Sequence, residues 1–292
     1  MDVVRWIGSD WSIAYIGDGA STEYLSTILF SETPKTEQLP RVYIWQVPGQ
    51  IKKFSGEGDL VVCELNEILR WSFNGLETFF TVLPSITQVL EEINRSIEEI
   101  LASMNQTMRR RVRQLETESF SYTYTQEKEN FDFFYFQMYL PYTTLRHRGQ
   151  GMILNDYETT LDYFMQGGLI LIKDGQQPVC GMLCLLEGDM CHALQMGVLD
   201  GEFDLVKRGV NVALWWYMLM WARDQAAQKF DFGISWAQTS NGVFNFKRQW
   251  GTRVYLNQLI NTRLSFYAQR LPDKLREHLN ARGNITIVDG TF

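Results

Sequence analysis

Apolar and polar positions alternate in short runs over the first 80 residues. This period of two predicts strands at 12–16, 41–47 and 60–65, with Gly, Pro and Ser between them in turns. Turns are also predicted at 18–19 and 52–58. This part of the chain is therefore expected to be strand-rich, and it carries no motif typical of a functional site.

The spacing changes to that of a helix in the next segment. Apolar residues then recur every three or four positions over about 30 residues. These positions are Ile86, Val89, Leu90, Ile93, Ile97, Ile100, Leu101, Met104, Met108, Val112 and Leu115. Ser85 and Gln88 have the spacing of a capping box. The pattern predicts one long connector helix, and we place the domain boundary at its end, which gives domains 1–115 and 116–292.

The second half of the chain consists of shorter elements. Their spacing and turns predict a strand at 119–125, helices at 131–140 and 157–166, strands at 169–173, 178–186 and 190–198, a helix from 210, a strand at 230–232, a helix at 241–250 and a strand at 252–260. Tight turns join the three central strands, which are therefore expected to be antiparallel. The pattern predicts a domain of mixed helix and strand.

Composition indicates a folded protein with a sizeable core. The 292 residues are 45% hydrophobic and 21% charged, which is unlike a disordered chain. The net charge is −7, so nucleic-acid binding is not expected, because the chain has no overall excess of cations to neutralise phosphates. The one basic run, at Arg109, Arg110, Arg111 and Arg113, is interpreted as a solvated helix face.

Targeting and redox features favour a cytoplasmic protein. The first eight residues lack the regions of a secretory signal, and the longest apolar stretch, 210–222, is too short to span a bilayer. The four cysteines fit reduced, buried use. Cys180, Cys184 and Cys191 lack the paired spacing of a zinc site, so no metal is expected.

A glycine-containing loop comes directly before the most apolar helix. It consists of Lys207, Arg208 and Gly209, and the helix begins at Val210. Backbone N–H groups at a helix start bind phosphates, and glycine allows the backbone to come close to a ligand. Apolar residues cover all sides of the helix, which is typical of a buried helix; the alternative is a wall of an acyl-chain tunnel.

A second motif follows the apolar helix. Asp231, Phe232 and Gly233 end a predicted strand, and Lys247 lies on the short helix beyond it. The same Asp-Phe-Gly triplet occurs in protein kinases, but the Gly-rich and His-Arg-Asp loops of kinases are missing from this sequence.

These two motifs resemble the thioester-binding half of GNAT acyltransferases, in their FemAB-like branch. The GNAT pyrophosphate loop usually reads Gln/Arg-x-x-Gly-x-Gly/Ala; Gly209 takes the place of the first glycine, and Asn211 stands in place of the second. Asparagine tolerates left-handed backbone geometry, and the departure favours a carrier-protein thioester or another activated acyl donor over free coenzyme A. Phe246, Lys247 and Gly251 match the Phe-Lys-x-x-x-Gly of FemAB-like proteins.

The resemblance covers about 119–260, roughly half of the chain. It implies an α/β fold of the α+β type: a GNAT fold with a mixed, mostly antiparallel sheet flanked by helices. Because FemAB-like proteins carry two GNAT-like units in tandem, it also implies that the first 115 residues form a smaller, degenerate GNAT-like unit.

The resemblance further implies site residues. Donor-binding positions are Met196, Gly197, Val198, Lys207, Arg208, Gly209, Val210, Asn211, Ala213, Asn241 and Phe246. Lys247 would stabilise the oxyanion or the leaving thiolate. Asp231 is a further catalytic candidate, although such an aspartate is more often structural, and Gly233 would let two strands splay beside the thioester.

An amine acceptor has to lose a proton before or during attack. An alkylamine with a pKa near 10.4 costs about 4.6 kcal/mol to present neutral at pH 7, and a general base supplies this. His192 is the best candidate by residue type, with Glu202, Asp204 and Asp132 as alternatives. His147 is expected in a loop that meets an anionic group.

The resemblance implies an N-acyltransferase. The expected donor is a medium- or long-chain fatty acyl thioester of coenzyme A or acyl carrier protein, and the acceptor an amine-bearing peptide or small molecule; no cofactor is bound permanently. Some relatives of this group are maturases that attach fatty chains to ribosomal peptides. Direct transfer is simpler than an acyl-enzyme on Cys191. Two alternatives stay open: an aminoacyl-tRNA-dependent peptidyltransferase, and a GNAT-shaped binding module without catalysis.

Overall fold

The computed structural model describes residues 1–19, 22–57, 60–66, 80–82, 85–146, 156–256, 262–268 and 272–283. Its strands are β1 Asp2–Ile7, β2 Ser12–Gly17, β3 Lys35–Leu39, β4 Leu60–Asn66, β5 Phe80–Val82, β6 Ser85–Leu90, β7 Phe120–Thr125, β8 Gly168–Asp174, β9 Gln177–Glu187, β10 Met190–Val198, β11 Lys229–Trp236, β12 Arg253–Leu256 and β13 Thr262–Tyr267. Its helices are α1 Thr22–Leu29, α2 Val47–Gly56, α3 Ile97–Ser103, α4 Gln106–Gln114, α5 Lys128–Phe133, α6 Leu140–Arg146, α7 Tyr157–Gln166, α8 Phe203–Lys207, α9 Val210–Asp224, α10 Gly242–Arg248 and α11 Asp273–Arg282. A π-helical segment, Phe134–Tyr139, joins α5 to α6.

The chain forms two compact units. The first comprises residues 1–86, 235–245 and 256–292, and the second comprises residues 87–234 and 246–255. The segment 87–115, which the sequence pattern assigned to the N-terminal domain, thus makes its contacts within the second unit.

The first unit is built on a six-stranded sheet in the order β3-β1-β2-β4-β13-β5. Neighbouring strands are antiparallel except β2 and β4, which run parallel. One core contains Leu25 of α1 and Leu275 of α11, and another contains Ile51 and Phe54 of α2.

The second unit is built on a seven-stranded sheet in the order β12-β6-β11-β10-β9-β8-β7. Strands β7 to β10 are antiparallel in succession, whereas β10 and β11 are parallel. The largest core contains residues of α3, α4 and α9, and a separate aromatic core contains residues of α5, the π-helical segment and α7. Two mostly antiparallel sheets flanked by helices confirm the predicted fold class.

The order of elements predicted for 119–260 is confirmed as far as residue 256. The helix predicted at 157–166 begins and ends as expected, with the Asp156 side chain accepting from Thr159 N–H. The three central strands form β8, β9 and β10, and the apolar helix is α9. Residues 257–260 of the last predicted strand lie outside the described part of the chain.

The prediction of one long connector helix is wrong. The start of the predicted helix, as far as Leu90, belongs to strand β6, in the sheet between β12 and β11, and the two helices α3 and α4 follow after a connection. The capping box is formed by Ser96 and Glu99, rather than by Ser85 and Gln88. Asn105 begins a new helix by accepting from Met108 N–H at 2.8 Å.

Two predictions in the first unit are also wrong. A strand was expected at 41–47, but a 3₁₀ turn covers Ile44–Gln46 and α2 begins at Val47. Turns were expected at 52–58, but α2 continues to Gly56. The reason is Pro48, which lies in the first turn of α2, where its missing N–H costs nothing.

None of the helices in the described ranges has the length and apolar character needed to cross a membrane.

Candidate functional site

Strands β10 and β11 part in the middle of the second sheet. They pair in parallel at Met190–Lys229, Cys191–Phe230 and His192–Asp231, and both then continue, to Val198 and Trp236. We call the place beyond His192 and Asp231 the strand opening. The resemblance predicted that neighbouring strands splay here.

Gly233 lies at the edge of the strand opening and has a backbone conformation that residues with a Cβ atom rarely adopt. Its φ is +73°, and a Cβ atom built there would lie 3.0 Å from the carbonyl oxygen of Ala193 on β10. Asp231 Oδ1 accepts a hydrogen bond from Gly233 N–H at 2.7 Å. A glycine at this position therefore lets β11 turn away from β10.

Strand β10 carries a bulge at the strand opening. Its pairing with β9 shifts register between Ala193 and Met196, where β10 has one residue more than β9. Such bulges leave a residue unpaired and often lie beside active sites. Backbone groups at Leu194 and Gln195 thus have no registered partner on either neighbouring strand.

His192 and Asp231 form a hydrogen-bonded pair across β10 and β11. The Nδ1 atom of His192 lies 3.0 Å from Asp231 Oδ2, and both side chains are partly buried. When Nδ1 carries the proton that Asp231 accepts, Nε2 of the neutral ring has a lone pair, with Glu187 Oε2 3.8 Å away. The hydrogen bond with Asp231 raises the pKa of His192, and partial burial opposes this. The pair has the geometry of a general base held by a carboxylate.

Lys247 is buried and turned towards the backbone of β11. Its side chain is 5% exposed, and Nζ donates to the carbonyl oxygens of Gly233 at 2.9 Å and Ile234 at 2.8 Å. Burial lowers the pKa of Lys247 to about 7, against the effect of the Asp231 charge. The amine thus holds the β11 backbone beside the strand opening, and its protonated form has one further N–H.

Lys207 ends α8, and Arg208 and Gly209 connect it to α9; we call these three residues the donor loop. Gly209 is the N-cap of α9 with a φ of +97°, and a Cβ there would meet no atom within 4 Å. The first N–H groups of a helix lack partners in a preceding turn. At α9, Val212 N–H donates to the Gly209 carbonyl oxygen and to Asn211 Oδ1, so the N–H groups of Val210 and Asn211 are the ones left for a ligand, and donor binding there stays a prediction.

The two cationic side chains of the donor loop are exposed and paired with carboxylates. Lys207 Nζ lies 2.8 Å from Asp204 Oδ1, and Arg208 Nη2 lies 2.9 Å from Asp174 Oδ2. Exposed pairs of this kind are weak, so both side chains are available to an anionic ligand.

Asn211 needs no left-handed geometry. It lies inside α9 with a right-handed backbone, since it is absent from the positive-φ residues of the described chain, and Gly209 takes the left-handed conformation instead. The side chain of Asn211 accepts from Val212 N–H at 2.9 Å. The substitution of glycine by asparagine thus leaves the helix start intact, and the sequence-based reason for its tolerance is wrong.

Other residues predicted to bind the donor either lie in the hydrophobic core or allow two backbone segments to pack closely. The side chains of Val198, Val210 and Ala213 are fully buried. Met196 is partly buried against the same core. A Cβ on Gly197 would lie 2.4 Å from the backbone nitrogen of Tyr139, so Gly197 allows the π-helical segment to pack directly on β10.

Asn241 directly precedes α10, and Phe246 lies within it. Asn241 Oδ1 accepts from Phe244 N–H at 3.0 Å and so caps the helix. Phe246 packs against Trp215 and Trp250. The α9 side chains on this face are packed with aromatic neighbours, which supports a core role rather than a tunnel wall.

The alternative bases are differently placed. Asp132 accepts hydrogen bonds from Lys128 and Tyr157, and Asp204 pairs with Lys207. Glu202 is exposed. Burial raises the pKa of the Cys191 thiol, which disfavours a thiolate nucleophile. His147 lies outside the described residues, and no described cluster of His, Cys, Asp and Glu could hold a metal ion.

Sequence reasoning missed Gln195. Its Oε1 atom is buried and lacks a hydrogen-bond partner among the described residues. No sequence signal marks it, because the bulge that holds it depends on the pairing of β10 with both neighbours.

Comparison with known proteins identifies the family. A family model described as an acetyltransferase (GNAT) domain matches residues 102–248, half of the chain. A comparison with curated proteins finds no match.

Similar solved structures include FemX, L-PGS and a GCN5-related N-acetyltransferase. FemX is 12% identical, with 90% of this chain and 83% of that chain covered and a TM-score of 0.48. L-PGS from Bacillus licheniformis is 14% identical, with 97% and 86% covered and a TM-score of 0.44. A GCN5-related N-acetyltransferase from Kribbella flavida is 14% identical, with 82% of each chain covered and a TM-score of 0.33. At these scores the assignment depends on the family model alone, and on that basis the chain belongs to the GNAT acetyltransferase-domain family and is an acyltransferase.

Proposed function

We propose that this protein transfers an acyl group from a thioester of coenzyme A or acyl carrier protein to a primary amine of a peptide or small molecule. The observation that carries the proposal is the strand opening. There β10 and β11 stop pairing after His192 and Asp231, and the backbone of Leu194 and Gln195, which is in register with neither neighbouring strand, suits the amide groups of a pantetheine arm.

The donor loop supports a phosphate-bearing donor. Backbone N–H groups at the start of α9 attract phosphates, and Arg208 and Lys207 add exposed positive charge on a chain whose net charge is −7. Both coenzyme A and a carrier-protein thioester present a phosphate at the end of the pantetheine arm.

Exposed apolar side chains favour a fatty acyl group. Phe136 and Leu145 are each 50% exposed, and Phe203 is 62% exposed. Leu145 lies beside Gly201, in the connection between β10 and the donor loop. Each methylene of an acyl chain that such surfaces cover contributes about 0.8 kcal/mol.

The His192–Asp231 pair supplies the general base. The Nε2 atom takes a proton from the attacking amine as its nitrogen bonds to the thioester carbonyl carbon. The C–S bond then breaks, and the thiolate leaves and takes up a proton. Protonated Lys247 has one N–H beyond those that hold Gly233 and Ile234, and we assign it to the developing negative charge.

Mass spectrometry of reaction products tests the proposal. The protein is incubated with acetyl-, octanoyl- and palmitoyl-thioesters of coenzyme A and of acyl carrier protein, together with lysine-containing peptides. We expect acylated peptide with wild type, and a donor KM about tenfold higher for Arg208→Ala, which loses a charged hydrogen bond. The matched control is Arg253→Ala, because Arg253 is also exposed and paired with a carboxylate, that of Glu91. No product with any donor, or equal donor KM values for both variants, contradicts the proposal.

A second candidate is aminoacyl transfer from tRNA. The observation in its favour is α4, where Arg110 is exposed and lines a groove with Arg113 and Gln114. Arg109 is occupied, since its guanidinium donates to carbonyl oxygens of α3 and its C-cap. If the protein uses aminoacyl-tRNA, its affinity for tRNA is expected to fall steeply as salt is added and to be lost in Arg110→Glu. Binding of tRNA that does not depend on salt contradicts this candidate.

A further inference from the structure

Gln195 carries a buried oxygen that the fold leaves unpaired. Its Oε1 atom is shielded from solvent and has no hydrogen-bond partner among the residues that the structure describes. An unpaired buried acceptor lowers stability, and such groups are few in native proteins. A buried amide oxygen of this kind fits the N–H of a ligand.

The strand register places Gln195 at the strand opening. It lies in the bulge, where the register with β9 shifts between Ala193 and Met196, and beyond His192, where pairing with β11 ends. No strand on either side has a residue in register with Gln195.

The alternation of β10 side chains puts Gln195 on the same face as His192. Four side chains of β10 belong to the core that contains α9: Cys191, Ala193, Met196 and Val198. Successive strand residues face opposite sides, so His192 lies on the other face. Leu194 also lies on this second face, where it packs with the π-helical segment. The bulge places two residues, Leu194 and Gln195, in the interval where a regular strand has one, so Gln195 shares the face of Leu194 and His192.

We propose that Gln195 Oε1 accepts one N–H of the acceptor amine and makes the site selective for primary over secondary amines. This proposal rests on the proposed function. A neutral primary amine has two N–H bonds and one lone pair. When Gln195 holds one N–H and His192 Nε2 takes the other proton, the lone pair is left to attack the thioester carbonyl.

This arrangement accounts for each bond and each proton of the transfer. The N–C bond forms as the proton moves to His192, the C–S bond breaks, and the thiolate leaves with the electron pair. The N–H on Gln195 stays on the product amide. A secondary amine has one N–H and cannot serve both groups.

Two variants and one pair of probes test this role. Gln195→Met keeps the length of the side chain without the oxygen, and Gln195→Glu keeps an acceptor oxygen. The probes are Nα-acetyl-lysine methylamide and its Nε-methyl derivative, with octanoyl-coenzyme A as donor. We expect Gln195→Met to raise the Tm of the free protein and to lower the primary-to-secondary ratio of kcat/KM about five- to tenfold. Gln195→Glu retains the ratio. A lower Tm for Gln195→Met together with an unchanged ratio overturns the proposal.

Amine binding without donor separates the two proposals. The Tm of wild type is expected to rise with the primary amine, and this rise is expected to be smaller in Gln195→Met, which lacks the accepting oxygen. If wild type forms no amide with any donor, the proposed function fails, while this difference still supports the role of Gln195. Equal shifts in wild type and Gln195→Met overturn that role.

Discussion

The pH dependence of acyl transfer is expected to report the His192–Asp231 pair. A general base acts in its neutral form, so the rate rises with pH through the pKa of His192, which the hydrogen bond with Asp231 raises. The rate falls again as Lys247, with a pKa of about 7, loses the proton that stabilises the developing negative charge. We expect Asp231→Asn to move this rise to lower pH, and His192→Gln to lower kcat by about 10²–10⁴-fold. The measurement is kcat/KM between pH 5 and 9. Asp189→Asn, an exposed carboxylate in the turn before β10, is the control; an unmoved profile in Asp231→Asn contradicts the assignment.

Lys247 is expected to make stability depend on pH above neutrality. Burial lowers its pKa to about 7, whereas an unfolded lysine keeps its proton to about pH 10.4. Between these values the unfolded state binds more protons, so the free energy of unfolding rises with pH, by at most about 1.4 kcal/mol per pH unit. Urea unfolding between pH 7.5 and 9 is expected to show a smaller rise in Lys247→Met than in wild type. Lys52→Met, on the exposed side of α2, is the control, and equal slopes in all three proteins contradict a buried neutral amine.

The role of a single residue could be predicted from the sequence where its neighbours along the chain determine that role. Gly209 could be predicted because a glycine before an apolar helix marks the helix start, and it does adopt the left-handed conformation there. The partnership of His192 with Asp231 could not, because the two residues become neighbours through the parallel register of β10 and β11. The predicted roles of the donor-binding residues stay predictions.

Gly233 is expected to determine how far β11 bends from β10. An alanine there takes a positive φ and brings its Cβ to within 3.0 Å of the Ala193 carbonyl oxygen, which costs about 1–3 kcal/mol. We expect Gly233→Ala to lower the free energy of unfolding by this order and to weaken donor binding. Gly242→Ala, in α10 with open space around the position, is the matched control. If both variants have the stability of wild type, the strand opening does not depend on this glycine.

Elements were predicted well where neighbouring residues determine them. The strands β8, β9 and β10 follow each other through tight turns, and Gly175 and Gly188 adopt the positive φ that those turns require. The stripe from Ile86 to Leu115 failed because its spacing also fits a buried strand followed by two helices. The insertion of β6 between β12 and β11 depends on distant segments, which periodicity does not report.

At the scale of the whole molecule, the second unit is expected to need residues that precede 116. Its largest core includes Leu90, Ile100, Met108 and Leu115, so a fragment of residues 116–292 loses these contacts. We expect this fragment to lack a cooperative thermal transition, whereas a fragment of residues 87–256 retains the core and unfolds cooperatively. Calorimetry of both fragments checks this. A cooperative 116–292 fragment would place the boundary where the sequence pattern put it.

The central claim is that the strand opening admits the pantetheine arm of a thioester donor. A crystal structure with a non-hydrolysable ketone analogue of octanoyl-coenzyme A tests it most directly. We predict the arm between β10 and β11 beyond His192 and Asp231, with the phosphates at the donor loop. An analogue bound elsewhere, or a strand opening filled by the protein's own side chains, would contradict it.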